Sequence, residues 1–335
     1  MISRMFRAGR TPERKTGGGE WQNGLERGGG GAYCGGMKCR IHSSVRLCGP
    51  VLALAVLFGL VPAGTARGAR EVVDGIAWVY EVVDGKAVLS ASTVPQATKG
   101  RVAVPEKLGG VPVAAVGDYA FYDCTKIAEI SLPEGIESIG EHSFQDCTAL
   151  VRVELPGNVS RIGYYAFTGC TALESVALPR KVTAVGNYVF FGCTALRNVD
   201  WPPGLEKIGN SAFSHCAALE TVRLPPQLLR VGEYAFAGCA NLREVGLPAG
   251  LEEIGKNAFS DCTALESFEL PAGVRVRKDG FARSGLRRIV VQVGTNTKIA
   301  QKAIPDGCEW LDGNGKPIEM YGLSETKRKK GGKRD

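Results

Sequence analysis

The chain has 335 residues, of which 44% are hydrophobic and 22% are charged, so it is long enough to bury a large core. Its formal net charge is +7, but the basic excess lies in the two ends, 1–66 and 327–335, and the segment between them is mildly acidic. This distribution argues against a nucleic-acid groove, and the presence of only three histidines argues against a histidine metal site or a histidine-based triad.

The first 66 residues are predicted to be a leader. Residues 1–36 are rich in glycine and arginine, and we expect them to be disordered or to precede the true start at Met37. Residues 37–66 contain a basic segment, an uncharged apolar run and small residues, which are the three parts of a secretory signal peptide. The apolar run is shorter than the ~20 residues that a spanning helix requires. We predict a cleaved signal, with an uncleaved membrane anchor and a buried helix as alternatives.

Residues 67–101 are predicted to form an N-terminal β-hairpin cap. The pentapeptide EVVDG occurs at 71–75 and again at 81–85, and the segments that follow each copy are strand-like. Asp84 and Gly85 suit a two-residue hairpin turn. Such a hairpin would cover the bare sheet edge of the first repeat, which would otherwise invite aggregation.

A repeat with a period of 23 residues fills residues 102–285. Each unit contains a phenylalanine, a cysteine three residues later and a Leu-Pro pair, whose place in one unit is taken by Trp201 and Pro202. The two most regular columns are Phe121, Phe144, Phe167, Phe190, Phe213, Phe236 and Phe259, and Cys124, Cys147, Cys170, Cys193, Cys216, Cys239 and Cys262. A fixed period of this length predicts stacked units that share one core.

One repeat unit illustrates the fold class. In LREVGLP the apolar residues Leu242, Val245 and Leu247 predict a short strand with one face inward, and Pro248 ends it because proline has no N–H for a ladder. Leu251 and Ile254 predict a second short segment, and the phenylalanine and cysteine then close the coil. We therefore predict a β-rich solenoid of 23-residue coils with capping hairpins.

The cysteine column allows two interpretations. Exported proteins use cysteines for disulfides or metal ligands, but free cysteine is also a common small buried hydrophobe. Residues stacked one above another have Cβ atoms ~4.8 Å apart, beyond the ~3.8 Å typical of a disulfide. We predict free, buried thiols, with local bridging as the alternative.

The repeat also resembles a known family. The pattern IGxxAFxxCTALExVxLPxGL, found with small variations at 139–159, 162–182 and 254–274, resembles the BspA-like leucine-rich repeats, also called the Treponema pallidum type. The resemblance covers about 116–285. It implies a right-handed leucine-rich-repeat superhelix and an exported or surface-exposed binding protein, often linked to adhesion. It provides no catalytic residues, cofactor or metal ligands.

The repeat weakens at its C-terminal end, where Phe281 follows Phe259 by 22 residues and Gly285 stands at the next cysteine position. Residues 286–323 are predicted to be a C-terminal cap, with a strand at 286–293, a short helix at 296–304 and a hairpin around Asp312–Gly315. The DGNG run there lacks the glutamate of a calcium loop. Residues 324–335 are predicted to be a basic disordered tail.

Two surfaces are candidates for binding. The first is the outward side of the strands, with plain solvated sheet as the alternative interpretation. Its candidate ligand face comprises Arg152, Glu154, Asn198, Asp200, Thr221, Arg223, Glu244 and Glu269. The second is an aromatic stripe just before the Ala-Phe pair, for which we favour packing of the rings between coils over a sticky surface. It comprises Tyr119, Tyr165, Tyr188 and Tyr234.

These observations predict an exported binding protein, adhesin-like, at the cell surface, in the periplasm or released. Its partner would be a protein or a glycan, not nucleic acid, and the export signal would be its only contact with membrane. No pattern of a Ser-His-Asp triad, a histidine-rich metal site or a phosphate loop occurs, so an enzyme is not predicted. A structural scaffold of the envelope or periplasm is the alternative, and the sequence assigns no oligomeric state.

Overall fold

The computed structural model describes residues 68–90, 96–292, 296–300 and 302–318, all of which belong to the compact unit 61–335. The leader predictions for 1–36 and 37–66 and the tail prediction for 324–335 lie outside these residues. The part of the chain that is described consists of strands and turns without a helix. It accordingly contains no apolar helix of the length needed to cross a membrane.

The chain begins with six strands that start the stack. They are β1 (Ala69–Val73), β2 (Ile76–Val83), β3 (Lys86–Leu89), β4 (Gly100–Ala103), β5 (Lys107–Leu108) and β6 (Val111–Val116). Each later coil contributes one strand to a long-strand face and one to a short-strand face.

The long-strand face continues from β4. Its further strands are β7 (Ile127–Ser131), β9 (Arg152–Glu154), β11 (Ser175–Ala177), β13 (Asn198–Asp200), β15 (Thr221–Arg223), β17 (Glu244–Gly246), β19 (Ser267–Leu270), β21 (Arg288–Val291) and β23 (Glu309–Leu311). They form four parallel sheets, β4-β7-β9, β11-β13, β15-β17 and β19-β21-β23. The face is therefore interrupted three times.

The short-strand face continues from β6. Its further strands are β8 (Ser138–Ile139), β10 (Arg161–Ile162), β12 (Ala184–Val185), β14 (Lys207–Ile208), β16 (Arg230–Val231), β18 (Glu253–Ile254), β20 (Arg275–Val276) and β22 (Lys298–Ile299). From β12 to β22 these strands form one parallel sheet. The pairs Ala184↔Lys207 and Lys207↔Arg230 show that equivalent residues lie beside one another. The predicted solenoid is confirmed: about nine coils stack at a period of ~23 residues.

The phenylalanine column forms the centre of this stack. All seven predicted rings, together with Phe281, are fully buried. Neighbouring rings from Phe121 to Phe281 are stacked, with centroids 5.0–5.4 Å apart. A buried phenylalanine side chain contributes about 1.5–3 kcal/mol relative to exposure. The column recurs because each coil must fill the same layer of the core.

A glycine follows each short strand from β6 to β18 and sets how closely these coils approach. A Cβ atom added to Gly232 would lie 2.6 Å from the carbonyl carbon and oxygen of Gly209 in the preceding coil. No side chain fits at that distance, so the Ile-Gly and Val-Gly pairs of the sequence are a requirement of backbone contact between coils.

The N-terminal segment forms two hairpins. The predicted turn at Asp84-Gly85 joins β2 to β3, and a second turn at Asp74-Gly75 joins β1 to β2. All four turn residues have positive φ, from 50° to 77°, as two-residue hairpins favour. β3 pairs with β6, and Trp78 packs edge-on against Phe121 with ring centroids 6.3 Å apart. The hairpins thus cover the first coil.

The C-terminal segment differs from the prediction in one element. The short helix predicted at 296–304 is wrong, since Lys298 and Ile299 form β22, which pairs in parallel with β20. The ladder offered by the preceding coil overrides the local helical pattern. The predicted hairpin is confirmed at its turn, where the Asp312 carboxylate accepts hydrogen bonds from the backbone N–H groups of Asn314 and Lys316.

Candidate binding surfaces

The eight residues of the candidate ligand face are all exposed and lie on the outward side of the long strands. The alternation of each strand explains their position: Arg152 and Glu154 face solvent, whereas Val153 between them is buried. Thr221 lies beside Glu244 in the register of β15 and β17. Identical positions of successive coils therefore form rows across the face.

Two exposed ion pairs occur among these residues. Arg152 lies 2.7 Å from Glu154 on the same strand, and Arg223 lies 3.3 Å from Glu244 on the neighbouring strand. Exposed pairs of this kind contribute only ~0–1 kcal/mol to stability. Their removal would change the charge pattern of the face more than it would change folding.

The long-strand face contains a depression between β13 and β15, which belong to different sheets. Its volume is about 560 Å³, and its lining includes four of the predicted face residues, Asn198, Asp200, Thr221 and Arg223. Trp201 and three prolines, Pro203, Pro225 and Pro226, line it as well. The structure thus brings half of the candidate face residues together around one concavity.

The sequence analysis missed Trp201 as a site residue, because it treated Trp201 only as the replacement for leucine in one Leu-Pro pair. It packs edge-on against Phe213, with ring centroids 5.2 Å apart, but remains partly exposed. The available signal was its larger size: Leu occupies this position in six other coils. Because an indole is larger than a leucine side chain, part of its apolar surface stays exposed and can contact a ligand.

The aromatic stripe is continuous over part of its length. The rings of Tyr119, His142, Tyr165 and Tyr188 stack in this order, with centroids 4.6–4.7 Å apart and planes within 7° of parallel. Tyr234 is separated from this stack, because Ser211 occupies the coil between. Tyr119 and Tyr234 are exposed, and the other tyrosines are partly buried. The structure therefore combines packing between coils with exposed ring edges.

The backbone of this stripe is left-handed. The φ angles of the seven residues in its column lie between 53° and 59°, including those of Ser211 and Asn257. This region costs about 1–2 kcal/mol for a residue with a Cβ atom, and stacking of aromatic rings returns ~0.5–1.5 kcal/mol for each pair. Stacking thus offsets part of the backbone cost.

The cysteine column lies inside the core, and all seven side chains are buried, with no disulfide among them. Burial raises the pKa of the Cys124 thiol to about 11 and that of the Cys262 thiol to about 12. The pKa values of the five thiols between them are also well above the ordinary value, because of burial and the charge of neighbouring thiolates. The column is therefore protonated at neutral pH.

The short-strand face has a second depression, of about 530 Å³, that lies along the glycine column. Its charged lining residues include Arg161, Lys207, Asp118 and Glu141. Further along this face, Arg230 pairs with Glu252 and Arg275 with Glu253, each at 3.6 Å. Among the described residues there is no group of three or more histidine, cysteine, aspartate or glutamate side chains that could hold a metal ion.

These features define a β-solenoid of leucine-rich repeats with rows of exposed polar side chains. A family model described as the BspA type leucine rich repeat region matches residues 114–225 and 184–308, with six copies of the repeat. The chain belongs to this family. No curated protein sequence matches it.

Several solved structures are similar to the chain. The T. pallidum leucine-rich repeat protein is 33% identical, with a TM-score of 0.52, over 56% of this chain and 87% of that protein. A leucine-rich cell surface protein from Faecalibacterium prausnitzii is 19% identical, with a TM-score of 0.33, over 73% and 94%. A leucine-rich repeat protein from Bacteroides ovatus is 19% identical, with a TM-score of 0.30, over 76% and 100%.

Proposed function

We propose that the chain is an exported, adhesin-like binding protein that holds a protein or glycan partner on its long-strand face without catalysing a reaction. The observation that supports this function is the set of exposed polar rows on that face, built on coils that share a fully buried phenylalanine column. A stack of this kind offers many side chains in fixed positions to one partner.

The leader and the thiols support the remaining parts of the proposal. Residues 37–66 have the three parts of a secretory signal peptide, which favours export. The thiols of the repeat are buried and protonated at neutral pH, so they do not supply the thiolate that nucleophilic chemistry requires. Surface complementarity is then the mode of action.

A binding assay with a face variant tests the role of the long strands. The variant removes two ion pairs and leaves the net charge unchanged: Arg152→Ser, Glu154→Ser, Arg223→Ser and Glu244→Ser. A control variant removes two exposed ion pairs on the short-strand side and also leaves the net charge unchanged: Lys86→Ser, Glu137→Ser, Arg230→Ser and Glu252→Ser. Circular dichroism should show the same fold for both.

The probes are immobilised extracellular-matrix proteins and whole cells, with surface-bound protein as the readout. We expect the wild-type chain to bind at least one probe, the face variant to bind it at least tenfold less, and the control variant to bind it normally. Equal binding by the wild type and the face variant would contradict the proposed face. Absence of binding to every probe would contradict the binding function.

Export has a separate test. N-terminal sequencing of the exported protein should begin near residue 67, and any of residues 1–36 on the mature chain would contradict the predicted start at Met37. Protease treatment of intact cells distinguishes the proposal from an envelope scaffold, because a periplasmic scaffold would be shielded from the protease.

A further inference from the structure

We propose that the depression between β13 and β15 binds a neutral sugar ring, with Trp201 as the apolar contact for the ring and the neighbouring polar side chains as partners for its hydroxyl groups. The inference rests on the proposed function, because it assigns the ligand class and the place on the long-strand face where recognition occurs.

The depression exists because the sequence changes at these two coils. Trp201 replaces the usual leucine, and its indole cannot sink fully into a layer already filled by Phe213. The Leu-Pro or Trp-Pro pair is followed by a second proline only in these coils, at Pro203 and Pro226. Proline has no N–H, so both residues offer carbon surface to the depression without a backbone donor.

The depression lies at one of the three interruptions of the long-strand face. β13 and β15 belong to different sheets, whereas β11 pairs with β13 and β15 pairs with β17. The inward residue of β13, Val199, is partly exposed and lines the depression. Its equivalents Val153, Val176 and Val222 are 4%, 3% and 2% exposed. Val245 of β17 is partly exposed as well, but the other equivalent valines bury the apolar surface that Val199 offers to a ligand.

The rim of the depression supplies hydrogen-bonding groups of both kinds. Asn198 provides an amide, Asp200 a carboxylate, Thr221 a hydroxyl and Arg223 a guanidinium, and all four are exposed. A sugar ring combines faces of C–H groups with a rim of hydroxyls that both donate and accept hydrogen bonds. The depression matches that combination, because its apolar surface of indole and proline carbon is bordered by amide, carboxylate, hydroxyl and guanidinium groups.

Charge and size narrow the ligand class further. The rim contains one carboxylate, Asp200, and one guanidinium, Arg223, which is itself paired with Glu244, so the rim has no excess positive charge, and this favours a neutral sugar over a sulfated or sialylated one. The volume of about 560 Å³ lies within the range of about 300–1,000 Å³ that is typical of small-molecule sites. The depression does not suit an anchor side chain of a protein partner, because such a side chain binds in a pocket that excludes water. The depression instead has exposed polar side chains on both of its strands.

The experiment uses the full chain and a panel of neutral oligosaccharides, namely maltose, cellobiose, lactose, chitobiose and their tetrasaccharide homologues. Affinity is measured by calorimetry, and tryptophan emission is followed during the same titration. We expect millimolar or tighter binding of at least one sugar, accompanied by a change in emission. Trp201→Leu should weaken binding at least tenfold and abolish the change in emission, and it should fold because six other coils have leucine there.

A second pair of variants serves if Trp201→Leu fails to fold. Asp200→Asn removes a rim acceptor charge and should weaken binding several-fold. Glu269→Gln makes the same change at the equivalent position three coils later, outside the depression, and should bind normally. Equal effects of Asp200→Asn and Glu269→Gln would overturn the site.

The remaining outcomes separate this inference from the proposed function. Failure of every neutral sugar to bind, or tighter binding of sulfated or sialylated sugars, would overturn the sugar site. If the wild-type chain then still binds matrix or cells and the long-strand variant does not, the proposed function stands without it. If neither sugars nor matrix nor cells bind, both are rejected.

Discussion

The thiol of Cys193 donates a hydrogen bond to the backbone carbonyl oxygen of Phe167 in the preceding coil, with 3.2 Å between Sγ and O. The same bond, to the phenylalanine 26 residues earlier, is made by each column cysteine from Cys147 to Cys262. The carbonyl oxygen of Phe167 also accepts a hydrogen bond from the backbone N–H of Cys170, at 3.2 Å, so the thiol is its second donor. Alanine or valine could fill the space but could not supply this second hydrogen bond. The bond therefore explains why this column is cysteine: the side chain is apolar enough to be buried and still has a donor.

Native-state labelling should leave the column unmodified. With iodoacetamide at pH 8, we expect no alkylation of the seven buried thiols within an hour, because they are inaccessible and their raised pKa values keep them protonated. Cys308, which is only partly buried, should react faster. Peptide mapping by mass spectrometry provides the measurement, and denaturation in guanidinium chloride should make all sites reactive. Rapid alkylation of Cys193 in the native protein would contradict its position.

Stability should fall in alkaline solution because of the same thiols. In the unfolded chain the thiols lose their protons above about pH 8.5. In the folded chain, burial raises the pKa of Cys124 to about 11. Their contribution is fully present below pH 8.5 and is lost as pH rises, at a slope that approaches about 1.4 kcal/mol per pH unit for each thiol. Urea unfolding between pH 8 and pH 10 measures it, and Cys193→Ala should have a slope smaller by about one thiol. Stability that is constant or rises over this range would contradict the prediction.

The glycine column should be intolerant of a methyl group. We expect Gly232→Ala to reduce the free energy of unfolding by about 3 kcal/mol, because the new Cβ would lie 2.6 Å from backbone atoms of Gly209. Gly250→Ala is the matched control, since a Cβ there meets no atom within 4 Å, and its effect should be within about 0.5 kcal/mol. Urea denaturation of both variants is the measurement. If Gly232→Ala and Gly250→Ala had similar stabilities, the prediction would be wrong, and the coils could move apart without loss of free energy.

Replacement of one buried serine by alanine should increase stability. The hydroxyl of Ser143 is buried and has no hydrogen-bond partner, whereas other coils have alanine at this position, for example Ala166 and Ala212. Ser143→Ala should therefore raise the free energy of unfolding by about 1 kcal/mol. Ser214→Ala is the opposite case, because the Ser214 hydroxyl donates to the carbonyl oxygen of Ala237 at 3.0 Å, and it should lower stability by about 1 kcal/mol. Thermal and urea unfolding of both variants provide the measurement. If the two substitutions changed the free energy of unfolding in the same direction, the prediction would be wrong.

The terminal segments show where sequence patterns were sufficient and where they were not. The turn at Asp84-Gly85 was predictable, because its dihedral angles depend on those two residues alone. The segment 296–304 was predicted as a helix but contains β22, since its conformation depends on the edge offered by β20. Local patterns fail where the partner strand decides the structure.

The candidate sites divide in the same way. The outward positions of the long strands followed from the alternation in each repeat, as Arg152, Val153 and Glu154 show. The depression at Trp201 did not follow, because it depends on two coils at once: on the size of the indole against Phe213, and on the interruption between β13 and β15. The sequence showed that Trp201 replaces leucine, but it did not show that β13 and β15 are not paired with each other.

The sequence by itself determined the period, the core columns and the alternation of inward and outward residues, because each coil must repeat the contacts of the coil before it. Only the tertiary structure decided which ring edges are exposed in the stripe that includes Tyr119 and His142, where the thiols donate, and where the long-strand face opens. These properties arise between coils, at distances of a few ångström that depend on the size and backbone geometry of two neighbours at a time.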